Sequence, residues 1–293
     1  MILVAGAAGT IGLPVVKSLC ERGASIRAFV RSQTSSERLK VLGVADVFVG
    51  DLRSREDLRG ALKGCHSFFH VMPPFSEDEF EVGRQAIEVA CEAGVEHVVF
   101  NSVLHPQMSD MPHHAKKLRV EEQLIKSGLD FNVIQPAMLM QNILGSWNRI
   151  RDDAVFPALS APDRRFALVD AKDVGEAIAN VLTDASLRNA TFELAGPDAL
   201  TYEGMAEIIG RELGTPIRVS VLDSDRRRSF AESQGWTSYA VETFLKMLEH
   251  YDAHGFPGGN RLVLAAILKR EPQSYRGFIR GVVAETGSGA PDL

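Results

Sequence analysis

Met1-Ile2-Leu3-Val4-Ala5-Gly6-Ala7-Ala8-Gly9-Thr10-Ile11-Gly12 opens the chain, and this stretch decides the fold. An apolar run reads as a strand over Ile2–Gly6, glycines fall at 6, 9 and 12, and Ile11, Val15, Val16, Leu19 and Cys20 then share one helical stripe that Gly23 stops. Strand, glycine loop and helix in that order are what a dinucleotide phosphate loop requires. The backbone must turn sharply and let a pyrophosphate approach without Cβ atoms in the way. The helix N-terminus then offers free N–H groups and about half a positive charge to the anion. The common spacing is G-x-G-x-x-G, whereas here the middle glycine is shifted. A plain strand–helix turn is the competing reading, and the position directly after an apolar first strand favours the phosphate loop.

Beyond this opening, short apolar runs alternate with amphipathic ones. Ile26–Val30, Val44–Val49, Ser67–Met72, His97–Val103 and Phe131–Leu139 read as further strands, several apolar on both faces as covered parallel strands are. Helical patterns cover Glu77–Ala93, stopped by Gly94, and a segment from Pro112 to Gly128. Such alternation predicts an α/β fold, a Rossmann-type doubly wound parallel sheet. Ala171–Thr183 (helix) and Thr191–Ala195 (strand) look like late additions to it. From Thr201 the character changes: a helix over Thr201–Leu213 stopped by Gly214, a strand-like Ile217–Leu222, then helical sequence broken at Gly255–Gly259. We therefore expect a Rossmann domain over residues 1–155, with 166–196 returning to its sheet, and a smaller α+β C-terminal domain over 197–293 facing substrate or partner. A frayed tail is expected after about Glu285.

The 293 residues are 45% hydrophobic and 24% charged, with a net charge of −6, which fits a water-soluble globular chain and disfavours direct nucleic-acid binding. No apolar run reaches the roughly 18 residues a membrane span needs, and no signal peptide is expected from the N-terminus. Cys20, Cys65 and Cys91 are too scattered for a disulfide framework or a metal site, so a reduced, cytoplasmic setting and no metal are expected.

The residue closing the second strand inspects the adenosine ribose. A carboxylate there accepts from the 2′-hydroxyl of NAD; this chain has Arg31, then Ser32, with Arg38 and Lys40 nearby. A guanidinium can meet a 2′-phosphate bidentately, so NADP(H) is favoured over NAD. Asp51 closes the third strand, where it can accept from the adenine amino group or serve its own turn. Val71-Met72-Pro73-Pro74 closes the fourth beside the cofactor.

The chain resembles the NmrA-like members of the atypical short-chain dehydrogenase/reductase superfamily, related to isoflavone-reductase-like and NADPH:quinone reductase-like proteins. The resemblance rests on the Gly6–Gly12 loop, Val30-Arg31, Gly50-Asp51-Leu52, Lys117 with Val120-Glu121-Glu122, Gln135-Pro136, Asn142, Val169–Val174 and Ala195-Gly196-Pro197. It implies NADP(H) held by the glycine loop, Arg31 and Asp51. We expect cofactor contacts from Gly6, Ala8, Gly9, Thr10, Ile11, Gly12, Arg31, Asp51, Leu52, Met72, Pro73, Lys117 and Pro136. The resemblance also implies two kinds of protein, reductases of quinones or related acceptors and cofactor-sensing regulators.

Better-known relatives place a Tyr-x-x-x-Lys pair and an upstream serine at the reacting carbonyl, the tyrosine giving the proton. Here the candidates are Ser102, His113 in the tyrosine's place, and Lys117 one helical turn on. Three readings compete: Lys117 or His113 donates instead, water supplies the proton to a quinone-type acceptor, or Lys117 only binds the ribose and nothing turns over. Trp147, Phe156, Trp236, Tyr239 and Phe256 are candidates for an apolar pocket or for the core, and Arg226-Arg227-Arg228 and Arg164-Arg165 read as solvated or locally paired. The expected function is an NADP(H)-dependent oxidoreductase acting on a quinone or similar planar small-molecule acceptor. The alternative is an NADP(H)-sensing regulator with a protein partner, and a homodimer is compatible with either.

Overall fold

The computed structural model describes residues 1–286; the expected frayed tail falls mainly outside these residues. The described residues form twelve strands: β1 (Ile2–Val4), β2 (Ile26–Val30), β3 (Val47–Val49), β4 (Ser67–His70), β5 (His97–Asn101), β6 (Asp130–Pro136), β7 (Met138–Leu139), β8 (Val155–Ala158), β9 (Phe166–Val169), β10 (Ala190–Leu194), β11 (Ala199–Leu200) and β12 (Arg218–Val221). Seven of them pair in parallel in the order β10-β6-β5-β4-β1-β2-β3. The chain moves one way from β1 to β3 and the other way from β4 to β6. The order therefore reverses between β1 and β4, and the crevice outside their carboxyl ends is where such sheets bind ligands.

Helices cover both faces of this sheet. On one, α1 (Gly12–Glu21) lies beside α7 (Ala171–Thr183), so close that a Cβ on Gly175 would sit 2.4 Å from the Pro14 ring. Val15, Val16 and Leu19 of α1 share a core there with Val174, Ile178 and Val181 of α7. On the other face, α3 (Arg55–Leu62), α4 (Glu79–Glu92) and α5 (Pro112–Lys126) bury Leu58, Leu62, Val82, Ala86, Val120 and Leu124 against Leu3, Phe68 and Phe100. Local signals set the boundaries: Ser54 caps α3 through the Asp57 amide at 3.1 Å, Pro112 begins α5, and Gly94 follows α4 at φ +72°.

Several expected elements are shorter or divided. The run 131–139 breaks at Ala137, where the amide donates to Leu194 O (2.9 Å); β6 stays in the main sheet and β7 leaves it for a three-stranded sheet with β9 and β11. The run 44–49 pairs only from Val47, because Val44 packs into the core beside Leu39. Helix α2 (Gln33–Val41) was not legible; it buries only Ser36 and Leu39, too few apolar positions to make a stripe.

After α6 (Trp147–Asp153), β8 pairs in parallel with β12, and α8 (Tyr202–Leu213), α9 (Ser224–Ser233), α10 (Ser238–His254), α11 (Arg261–Leu268) and α12 (Tyr275–Thr286) complete the described residues. One continuous core carries Val15 and Val174 together with Tyr202, Ile209, Phe256 and Tyr275. A smaller cluster joins Phe75, on the loop after β4, to Val241, Phe244 and Leu248 of α10.

Candidate functional site

Each of the three loop glycines meets a different demand. Gly6 has φ +57°, a conformation that L side chains rarely adopt, and a Cβ there would also lie 2.9 Å from Val71 Cγ1. Gly9 donates its amide to Gly6 O at 2.8 Å, which tightens the turn. A Cβ on Gly12 would meet Gly6 O at 2.0 Å and Gly6 C at 2.7 Å, both backbone atoms that cannot swing aside. Among the described residues the amides of Thr10, Ile11 and Gly12 donate to no backbone carbonyl, and the first turn of α1 holds no acidic side chain. Gly9 and Thr10 are exposed, and Ala8 and Ile11 half-buried. The loop thus presents free N–H groups and a helix N-terminus to an anion.

Arg31 follows β2 directly, is exposed, and makes no ion pair or hydrogen bond among the described residues. Ser32 beside it caps α2 by accepting from the Ser35 amide at 3.2 Å, so Arg31 stands at a second helix N-terminus whose first turn also lacks an acid. Asp51 is exposed; its Oδ1 accepts from the Arg53 amide at 3.0 Å, which is the local turn role. Arg53 in turn reaches Asp78 at 2.6 Å, tying the loop after β3 to the loop after β4. Leu52 and Met72 are buried beneath these loops, while Pro73 is exposed.

At the far side of the crevice, α5 turns His113, Lys117 and Glu121 inward at four-residue spacing, and all three are buried. Lys117 Nζ donates to Glu79 Oε1 at 2.8 Å and to Asn101 O at 3.4 Å, and lies 5.3 Å over the Phe100 ring. Ser102 Oγ donates to Glu121, and Gln135 Nε2 reaches the same carboxylate at 3.0 and 3.1 Å. Burial pushes the Glu121 carboxyl up, against the pull of those hydrogen bonds and of Lys117. Pro136 ends β6 next to this group and is buried.

Burial drives His113 down to about 2, with His114 and Lys117 adding to the effect. Its ring is neutral near neutral pH, edge-on to Phe75 at 5.0 Å, so it can hydrogen-bond but carries no proton charge to give. His70, fully buried at the end of β4, is held at about 3, again chiefly by burial. Neither of its ring nitrogens has a partner among the described residues, nor has Asn101 Oδ1 or His113 Nδ1.

Lys117, Ser102 and His113 therefore fall within one buried group at the ends of β4 and β5, but Ser102 turns toward Glu121 rather than toward Lys117. Sequence reasoning missed Glu79, Asn101, His70 and Phe75 here. Glu79 sits in the acidic run Glu77-Asp78-Glu79, yet it is 2% exposed.

The aromatic candidates separate. Trp147 and Phe156 belong to the main core, Phe156 against Tyr202. Phe256 lies between His105, His114 and Tyr251. Trp236 packs 5.4 Å from Phe75, whose φ is +59°, and Tyr239 lies under Lys116 Nζ at 4.4 Å. The basic clusters are locally engaged: Arg227 with Asp252, Arg228 with Glu242, Arg226 with Asp223, and Arg164 and Arg165 with the carbonyls of Asp252 and Ala199. A groove of 630 Å³ between α8 and β12 shares no residue with the crevice. Among the described residues no helix is long and apolar enough to cross a membrane, and no three metal-binding side chains converge.

A family profile described as the NmrA-like family matches residues 1–259. An NAD(P)H azoreductase of Xenophilus azovorans is 28% identical over 236 residues, spanning 80% of this chain and 82% of that protein. A (4-alkanoyl-5-oxo-2,5-dihydrofuran-3-yl)methyl phosphate reductase of Streptomyces griseus is 30% identical over 252 residues, spanning 85% and 86%. Among solved structures, an NADPH-dependent quinone oxidoreductase of Escherichia coli complexed with NADPH superposes with a TM-score of 0.83 at 21% identity, covering 97% of this chain and all of that one.

Proposed function

The chain belongs to the NmrA-like family, and from that premise we propose that it binds NADP(H) in the crevice between β1 and β4 and reduces a planar, electron-poor acceptor such as a quinone or an azo compound. The observation that carries the reading is the backbone cradle at Gly12, where a single methyl would collide with Gly6 O, joined to an Arg31 that is unpaired among the described residues at the next strand end. In this arrangement the amides of Thr10–Gly12 take the pyrophosphate and Arg31 takes the 2′-phosphate, while Leu52 and Met72 form an apolar wall. Lys117 would hydrogen-bond the nicotinamide ribose. Bound NADPH supplies the hydride.

The chain's own residues offer little for proton delivery. His113 is neutral, and the Ser102 hydroxyl is committed to Glu121. That suits acceptors whose reduced form draws its proton from water, and it argues for quinones and azo compounds over simple carbonyls. The names of the relatives point the same way: an azo bond, an unsaturated lactone and a quinone are all conjugated and electron-poor. The test is acceptor-dependent NADPH oxidation across quinones, azo dyes and enals; tight NADPH binding with no oxidation by any of them refutes the reductase.

One observation favours a second reading. The neutral His113, buried against Phe75, stands where the proton donor of related reductases would be, and Phe75 connects that point to α10. A regulator would use this connection to transmit cofactor state to a protein partner. Partner binding that ignores the NADP+/NADPH ratio rules it out.

A further inference from the structure

We propose that Glu79 is a positioning residue that fixes the Lys117 ammonium for the nicotinamide half of the cofactor, an inference that rests on NADP(H) occupying the β1/β4 crevice. Lys117 and Glu79 are 6% and 2% exposed, and either charge alone at that depth would be strongly disfavoured. Their 2.8 Å contact resolves this, and the partners come from different helices, 38 residues apart in the chain.

The donor count gives the pair its direction. An ammonium has three N–H donors. One meets Glu79 Oε1 and a second the Asn101 carbonyl at 3.4 Å, which leaves the third uncommitted among the described residues. Glu79 begins α4, directly after the loop leaving β4, and Asn101 is the last residue of β5. Asn101 therefore stands at the carboxyl end of β5, two strand spacings, or about 10 Å, from the phosphate loop on β1, and Glu79 opens the helix that follows β4, the strand between them. A dinucleotide whose pyrophosphate sits at Gly9–Gly12 must extend its nicotinamide half across β4 toward this point.

The Phe100 ring, 5.3 Å from Nζ, adds a further attraction for the cation. Glu79 thus acts through Lys117 and is not expected to touch the cofactor. A purely structural ion pair would hold α4 against α5 and have no preference for either half of the ligand.

That difference sets the experiment. Wild type, Glu79→Gln, Glu79→Asp and Lys117→Met are titrated with NADPH and with 2′-phospho-ADP, which keeps the adenosine half and pyrophosphate but has no nicotinamide. Thermal melts confirm that each variant is folded. Expected is a loss of NADPH affinity on the order of tenfold for Glu79→Gln and Lys117→Met, a smaller loss for Glu79→Asp, and unchanged 2′-phospho-ADP affinity throughout. Should Glu79→Gln not fold, Glu79→Asp and Lys117→Met carry the same comparison. The inference is overturned if both ligands weaken equally, or if neither changes in a folded variant. Wild-type protein that binds neither ligand refutes the cofactor reading instead, so the two failures are distinct.

Discussion

Replacing Gly12 by alanine puts a methyl group 2.0 Å from Gly6 O, where ordinary contact begins at 3.4 Å. The obstructing atoms are backbone, so the loop or the first turn of α1 must give way by about 1.4 Å. A displacement of that size takes one or more amides out of hydrogen-bonding range of a bound pyrophosphate. A hydrogen bond to a charged group is worth about 1.5–3 kcal/mol, and at about 1.4 kcal/mol per tenfold the loss of one weakens NADPH by roughly 10- to 150-fold. Overpacking itself costs about 1–3 kcal/mol of stability. Gly23→Ala is the control: Gly23 has φ +68° with nothing within 4 Å, so the variant loses about 1–2 kcal/mol of stability to backbone strain and keeps its NADPH affinity. Isothermal titration with NADPH, alongside thermal melts, reads both quantities. A folded Gly12→Ala protein binding NADPH within about twofold of wild type rules out this loop as the pyrophosphate cradle.

Arg31→Ala should weaken NADPH by about 10- to 150-fold, the worth of one charge-assisted contact, and leave NADH unchanged; an equal effect on both cofactors would place Arg31 away from the 2′-phosphate. Ser102→Ala should lower stability by about 1–3 kcal/mol, since it leaves Glu121 short of a donor in a buried site, with NADPH affinity retained; a large loss of turnover in stable protein would return Ser102 to the chemistry. His70, His113 and His114 are held at about 3, 2 and 4 in the folded protein, against about 6.5 unfolded. Below that value the unfolded chain binds protons that the folded chain refuses, so stability falls with pH by about 1.4 kcal/mol per unit for each histidine. Glu121, raised by burial, opposes this in the carboxylate range. A thermal midpoint that stays flat from about pH 7 to about pH 5 contradicts the burial of these rings. His70→Phe, which removes two nitrogens unpartnered among the described residues between Phe68 and Phe100, should hold or raise stability and reduce that acid slope by about 1.4 kcal/mol per pH unit.

The main sheet was legible because its signals are local. β1 is a continuous apolar run, β4 and β5 centre on Phe68-Phe69 and Val98-Val99-Phe100, and α4 and α5 carry stripes, with Gly94 and Gly128 closing them at positive φ. α2 was hidden because a nearly all-polar helix, held by the Ser32 cap and by Leu39, has no periodicity to read. The pairing of β8 with β12 joins residues about sixty positions apart, and nothing local specifies it. The site divides in the same way. The glycine loop and Arg31 are read within a few residues of sequence. Lys117 and His113 were found by their spacing, but the meaning of each depends on partners reached only through the fold: Glu79 for Lys117, Phe75 for His113 and Glu121 for Ser102. The buried carboxylates are the clearest case: acidic side chains are mostly exposed, yet Glu79 and Glu121 are 2% and 6% exposed, and only their partners explain it.

The central claim is that a complete NADP(H) cradle serves reduction of a conjugated acceptor. Its most direct test is initial-rate oxidation of NADPH by the purified protein with a quinone, an azo dye and an enal in turn, each repeated with NADH. Expected is acceptor-dependent oxidation with the quinone or the azo dye, preference for NADPH, and loss of that preference in Arg31→Ala. Saturable NADPH binding without acceptor-dependent oxidation across the whole panel would contradict it.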